Sequence, residues 1–127
     1  MDMNPPESIK NTEFLVSYEN FFKYFELIEE MKQSSKFFRI DNLEREILEV
    51  ISVNWNKKNL LLVSDVISLS KIGSPATLHA RLKNLRDKGF VEYVLDNDAR
   101  KKFVQPTEQA LNYFGDLVRC MSAAINH

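Results

Sequence analysis

The sequence predicts a mainly helical α+β fold. Two observations carry this. Apolar residues recur at spacings of three and four through the start, the middle and the end of the chain. Just before the last helical stretch, one segment alternates in part and is broken by an acidic turn.

Residues 1–12 include Asp2, Pro5, Pro6 and Glu7, with no basic start and no apolar core. They read as a disordered leader rather than a signal peptide. From Glu13 to about Gln33, the residues Phe14, Tyr18, Phe21, Phe22, Phe25, Ile28 and Met31 make one broad apolar stripe, with Glu19, Glu26, Glu29, Glu30 and Lys32 mostly off it. Four clustered aromatics need a large surface to cover them. Ser34 to Ile40 breaks the pattern and reads as a connector.

Asp41 is a good N-cap, with Glu44 three residues on to complete a capping box. The helix it opens runs to about Trp55, with Leu43, Ile47, Leu48, Ile51 and Trp55 on one face. A polar turn follows, then a brief strand from Leu60 to Val63. Ser64 is expected to cap a short helix carrying Val66, Ile67 and Leu69, which Gly73 closes. Ser74 caps the next helix, and Pro75 occupies its first position, where the missing N–H costs nothing. Leu78, Leu82 and Leu85 face inward, and Gly89 ends the helix after Lys88. Phe90 to Leu95 reads as a strand, 96–99 as a turn, and Arg100 to Gln105 as the returning strand, ended by Pro106. Thr107 caps the last helix, whose stripe is Ala110, Leu111, Phe114, Leu117, Val118, Met121 and Ile125.

This order of helix, short strand, short helix, tight turn, helix and hairpin is that of a winged helix-turn-helix. Two helices joined by a short turn hold the second at a fixed angle, so that it can enter a DNA groove about 12 Å wide. The parts expected are a leader at 1–12, an N-terminal dimerisation helix and connector at 13–40, the winged unit at 41–106 and a C-terminal dimerisation helix at 107–127.

Composition sets outer bounds. The 127 residues suit one compact domain, and 44% apolar content permits a core. No run approaches the roughly 20 apolar residues of a membrane span. The single cysteine, Cys120, allows no intrachain disulfide, which fits a reducing cytoplasm. The formal net charge is −1, yet Lys71 to Lys102 holds eight bases against four acids. That asymmetry suits a face for an anionic partner, although chance clustering on a solvated surface gives the same count.

The stretch Ser74-Pro75-Ala76-Thr77-Leu78-His79-Ala80-Arg81-Leu82-Lys83-Asn84-Leu85-Arg86-Asp87-Lys88-Gly89-Phe90-Val91 resembles the recognition helix of MarR-type transcriptional regulators. Asp98-Ala99-Arg100, with Thr107 seven residues beyond Arg100, is similar to that family's wing signature. Pro106 stands where the family usually has Leu and Ala110 where it usually has Gly, and one helix rather than two follows the wing. The resemblance spans roughly residues 41–114. It implies a dimeric repressor or activator of transcription that binds a pseudo-palindromic duplex, with 74–88 in the major groove and the wing at 91–105 on the minor groove or backbone.

The implied DNA contacts are Ser74, Ala76, Thr77, His79, Arg81, Lys83, Asn84, Arg100, Lys101 and Lys102. Thr77 can reach a base edge or a thymine methyl, and His79 a guanine or a phosphate; a solvated helix face would hold the same residues. Ser74 is a cap first and a phosphate contact in addition. Arg81 can point outward or lay its stem on the core edge. Arg100 suits a narrow, electronegative minor groove, with Asp98 orienting it or capping the turn. Phe14, Tyr18, Phe21, Phe22, Phe25, Phe114, Leu117 and Met121 are expected at the dimer interface.

Cys120 reads as inert packing among Leu117, Val118 and Met121 rather than as a redox sensor. His79 and His127 lack partners at metal-ligand spacing, and no cofactor motif is present. No nucleophile elbow or Gly-rich phosphate loop suggests an enzyme. A small-molecule effector belongs with the resemblance, its chemistry unspecified by the sequence. The competing reading is a winged-helix protein-interaction module that does not bind DNA.

Overall fold

A computed structural model describes residues 12–34 and 39–126, with side chains at 17–33 and 39–126. Expectations for the leader, for connector residues 35–38, for His127 and for the Phe14 side chain lie outside the described residues. The elements are α1 (Thr12–Ser34), α2 (Asn42–Asn56), β1 (Leu61–Leu62), α3 (Val63–Ile67), α4 (Pro75–Asp87), β2 (Val91–Leu95), β3 (Lys102–Pro106) and α5 (Glu108–Ile125). The three strands form one antiparallel sheet in the order β1-β3-β2. Among the described residues no helix is long and apolar enough to cross a membrane.

The chain divides into two compact units, residues 37–114 and residues 1–36 with 115–127. In the first, Ile47, Leu48 and Ile51 of α2, Val66 of α3, Leu78, Leu82 and Leu85 of α4, and Phe90, Val91 and Val104 at the sheet are all buried. Burial of each such side chain contributes about 1.5–3 kcal/mol. Because α4 spends its three leucines on this core at i, i+4 and i+7, its opposite face is left outside.

The α2 capping box is present as expected. Asp41 Oδ1 accepts from the Glu44 N–H at 2.8 Å, and Glu44 Oε1 accepts from the Asp41 N–H at 2.9 Å. Gly89 has φ +84°, the left-handed conformation that ends α4. Thr107 Oγ1 accepts from the Ala110 N–H and donates to the Gly89 carbonyl, which ties the start of α5 to the end of α4.

Three local expectations change. Ser64 does not cap α3: the helix begins two residues earlier, with Leu62 at the N-cap, and the Asp65 carboxylate accepts from the Leu62 N–H at 2.9 Å. Arg100 and Lys101 belong to the turn rather than to β3, because Asp96 Oδ1 accepts from both of their N–H groups and Ala99 takes φ +59°. Pro106 is the last residue of β3, opposite Val91, rather than the residue beyond it; the ladder continues through Thr107 N–H to the Phe90 carbonyl.

In the second unit, α1 leaves Tyr18, Phe21, Phe22 and Phe25 exposed. Tyr18–Phe22 and Phe21–Phe25 contact along the helix at ring-centroid distances of 4.7 and 4.8 Å. The α5 segment begins in the first unit and continues in the second; on its stripe Leu111, Val118, Met121 and Ile125 are exposed, while Tyr113 and Ala124, which the stripe omitted, are buried. A groove of about 400 Å³ in this unit is lined by Phe21, Tyr24, Met121 and Ile125 among others.

Candidate nucleic-acid interface

Ser74 sets the first turn of α4. Its Oγ accepts from the Thr77 N–H at 3.2 Å and donates to Thr77 Oγ1 at 2.9 Å. At 100° per residue, Ala76, Ala80, Lys83 and Asp87 lie opposite the leucine stripe. Thr77 and Asn84 lie on one flank of that outer face and His79 on the other, and all are exposed. Lys83 Nζ is 3.5 Å from Asp87 Oδ2, an exposed i,i+4 pair of little energetic weight.

Ala80 was missed in the sequence, although the helical wheel contains the signal. With Ala76 it leaves the centre of the outer face without bulk, so a partner surface can approach the backbone closely. On the His79 flank, the Arg86 guanidinium sits 4.4 Å from the Tyr93 ring centroid and fastens α4 to β2. Burial pushes the Tyr93 phenol up and Asp87 adds to the rise, while the Arg86 charge opposes both.

The β2–β3 hairpin forms the wing. Glu92 and Gln105 face each other across it and hydrogen-bond at 2.8 Å. At the tip, the Arg100 side chain is 84% exposed, with Nε 3.5 Å from Asp98 Oδ2. Burial raises the Asp96 pKa, but the backbone N–H of Lys101, the Asp98 side chain and the Arg100 N–H outweigh it and hold Asp96 below the ordinary carboxylate range. Lys101 and Lys102 are exposed beside Arg100, and the three bases line one depression with Leu62, Val63 and Ser64. Ser64, removed from capping, is thus brought to the basic edge of the wing.

Two bases of the same segment turn inward. Arg81 Nε lies 2.8 Å from Asp41 Oδ2. Lys88 Nζ donates to both Glu44 carboxylate oxygens at 3.1 Å and to the Arg39 carbonyl at 2.5 Å. Of the proposed contacts, Ser74, Ala76, Thr77, His79, Lys83 and Asn84 share one helix, and Arg100, Lys101 and Lys102 share the wing of the same unit. Arg81 is drawn toward α2.

The solved structures place this arrangement among known folds. That of Streptococcus pneumoniae FabT in complex with DNA is 23% identical, over 90% of this chain and 76% of FabT, with TM-score 0.57. A variant of Staphylococcus aureus MepR is 16% identical over 94% of this chain and 79% of its own, with TM-score 0.61. A transcriptional regulator from Thermotoga maritima is 14% identical over 94% and 73%, with TM-score 0.58. The fold is that of the MarR-type winged helix-turn-helix. No protein-family model matches the chain, and no curated protein is significantly similar to it in sequence.

In the winged helix-turn-helix, α3 and α4 are the paired helices and β2–β3 the wing. Cys120 is half-buried on α5, outside this unit. Among the described residues, no group of three His, Cys, Asp or Glu side chains is arranged to hold a metal.

Proposed function

We propose that the chain is a sequence-specific, double-stranded-DNA-binding transcription regulator that acts as a homodimer and represses by occupying its operator. The observation that carries the reading is the pairing, on one unit, of a recognition helix whose outer face is small and polar with a wing tip whose arginine is 84% exposed. Thr77, His79, Lys83 and Asn84 meet the major groove, while Arg100, Lys101 and Lys102 meet the minor groove or the flanking phosphates. The likeness to FabT, solved in complex with DNA, supports the same reading.

The homodimer is supported by the apolar side chains that α1 and α5 expose: Tyr18, Phe21, Phe22, Phe25, Val118, Met121 and Ile125. A two-fold dimer sets two recognition helices about one helical turn of DNA apart and so reads a pseudo-palindrome.

The test is a paired titration on a duplex selected from a randomised pool and on its scrambled counterpart. Thr77→Ala should cost about 1–3 kcal/mol per lost base contact on the selected duplex and little on the scrambled one. Arg100→Ala should weaken both by similar factors, because its grip depends on groove width and phosphate charge. Equal losses on both duplexes for Thr77→Ala, or no binding by the unaltered protein at low salt, would refute the reading.

A further inference from the structure

The leucine stripe sets which face of α4 turns inward, but apolar contact is non-directional and leaves the fine tilt of the helix open to adjustment by other contacts. A directional set of contacts does lie beside it. Arg81 and Lys88 are seven residues apart, two turns of helix, and therefore share the flank of α4 that faces α2. Both end on the first turn of α2. Asp41 divides its carboxylate: Oδ1 caps α2 at the Glu44 N–H, and Oδ2 takes Arg81. Glu44 accepts from the Asp41 N–H with Oε1 and from Lys88 with both oxygens. Lys88 adds the Arg39 carbonyl. Glu44 is 2% exposed; the Arg81–Asp41 arm is an ion pair without hydrogen-bond geometry, its Nε shielded from solvent while the two side chains are 36% and 46% exposed.

Resting on the DNA-binding reading above, we infer that Arg81 and Lys88 are positioning residues. They set the angle of α4 through Asp41 and Glu44, and Arg81 serves DNA selection through Asp41 rather than by touching DNA. The two α2 carboxylates are then part of the specificity apparatus, although neither stands on the recognition helix or the wing.

The sign of one substitution separates this from a direct contact. Asp41→Asn keeps a good N-cap but removes the charge that holds Arg81. If Arg81 touches phosphate directly, Asp41→Asn frees it, removes a negative charge, and tightens binding to every duplex. If Arg81 positions α4, Asp41→Asn lowers the ratio of selected to scrambled affinity by about two- to fivefold, the factor one partly exposed ion pair carries. Binding to the scrambled duplex should hold or tighten.

The experiment measures both affinities for the parent, Asp41→Asn, Arg81→Gln and the double variant, with melting curves alongside. The expected result is a loss of selectivity in each single variant and no further loss in the double. Arg81→Lys, which keeps the charge without the guanidinium, should retain scrambled-duplex binding with intermediate selectivity, and it stands in if either single variant melts early. Unchanged selectivity in Asp41→Asn, or additive losses in the double variant, overturns the inference and leaves the DNA-binding reading intact. Failure of the parent to bind any duplex at low salt overturns both.

Discussion

Lys88→Met isolates the one buried charged side chain among the described residues. The Glu44 side chain is 3% exposed and that of Lys88 32% exposed. Methionine keeps most of the stem and deletes the amine. Breaking a fully buried pair from one side costs about 3–5 kcal/mol. Here water reaches the space that the amine leaves, and the Asp41 N–H still donates to Glu44. The expected loss is therefore about 2–3 kcal/mol. In a unit of this size, each kcal/mol moves Tm by roughly 4–8 °C, which gives a drop of about 10–20 °C. Circular-dichroism melts and urea titrations of the parent, Lys88→Met, Glu44→Gln and the double variant read it directly. In the Glu44→Gln background, Lys88→Met should cost less than half as much, because no carboxylate remains to be stranded. A melt within about 2 °C of the parent, or the same loss in both backgrounds, would refute the argument that this pair fixes the end of α4.

Three other outcomes follow from the geometry. Asp96 is held below its ordinary value of 3.8, so its hold on the wing turn is present above 3.8 and is lost as pH falls through the lower folded value; the Arg100 and Lys101 amide signals should titrate with a midpoint below 3.8, and a midpoint at or above it contradicts the assignment. Phe22→Asp with Leu117→Asp should give monomers or insoluble chain, and sedimentation showing an unchanged dimer would count against the interface. Gly89→Ala should cost about 1–2 kcal/mol in urea unfolding, since φ is +84° and the new Cβ would meet Gln109 Oε1 at 3.0 Å; no loss would mean the helix end relaxes.

Local rules found the elements because most of their causes are local. The Asp41–Glu44 box, Ser74 with Pro75, and Gly89 after Lys88 each act within four residues, and each appears where the sequence put it. Local rules failed where two neighbours competed for one job. Ser64 and Asp65 can both serve the start of α3, and the longer carboxylate reaches back to Leu62 while Ser64 is left at the surface. The stripe expected on α5 was incomplete, since Tyr113 and Ala124 also take inward positions.

The destination of each cation was the least readable property. Counted along the chain, Arg81, Lys83, Arg86, Lys88 and Arg100 are alike. In the fold, Arg86 lies over Tyr93, Arg81 reaches an acid 40 positions back and Lys88 one 44 positions back. Nothing within one turn of Arg81 or Lys88 announces those partners, because they sit on a helix that meets α4 only after the leucine stripe has packed. The excess of base over acid between Lys71 and Lys102 therefore divides into two populations with different work. Arg81, Arg86 and Lys88 are held against α2 or β2, and Lys71, Lys83, Arg100, Lys101 and Lys102 extend into solvent. A net-charge argument sums the two and cannot separate them, whereas salt does: only cations that displace counterions contribute to the slope of affinity with ionic strength. Neutralising Lys102 should reduce that slope and neutralising Arg81 should not, even though both substitutions remove one positive charge from the same stretch of sequence.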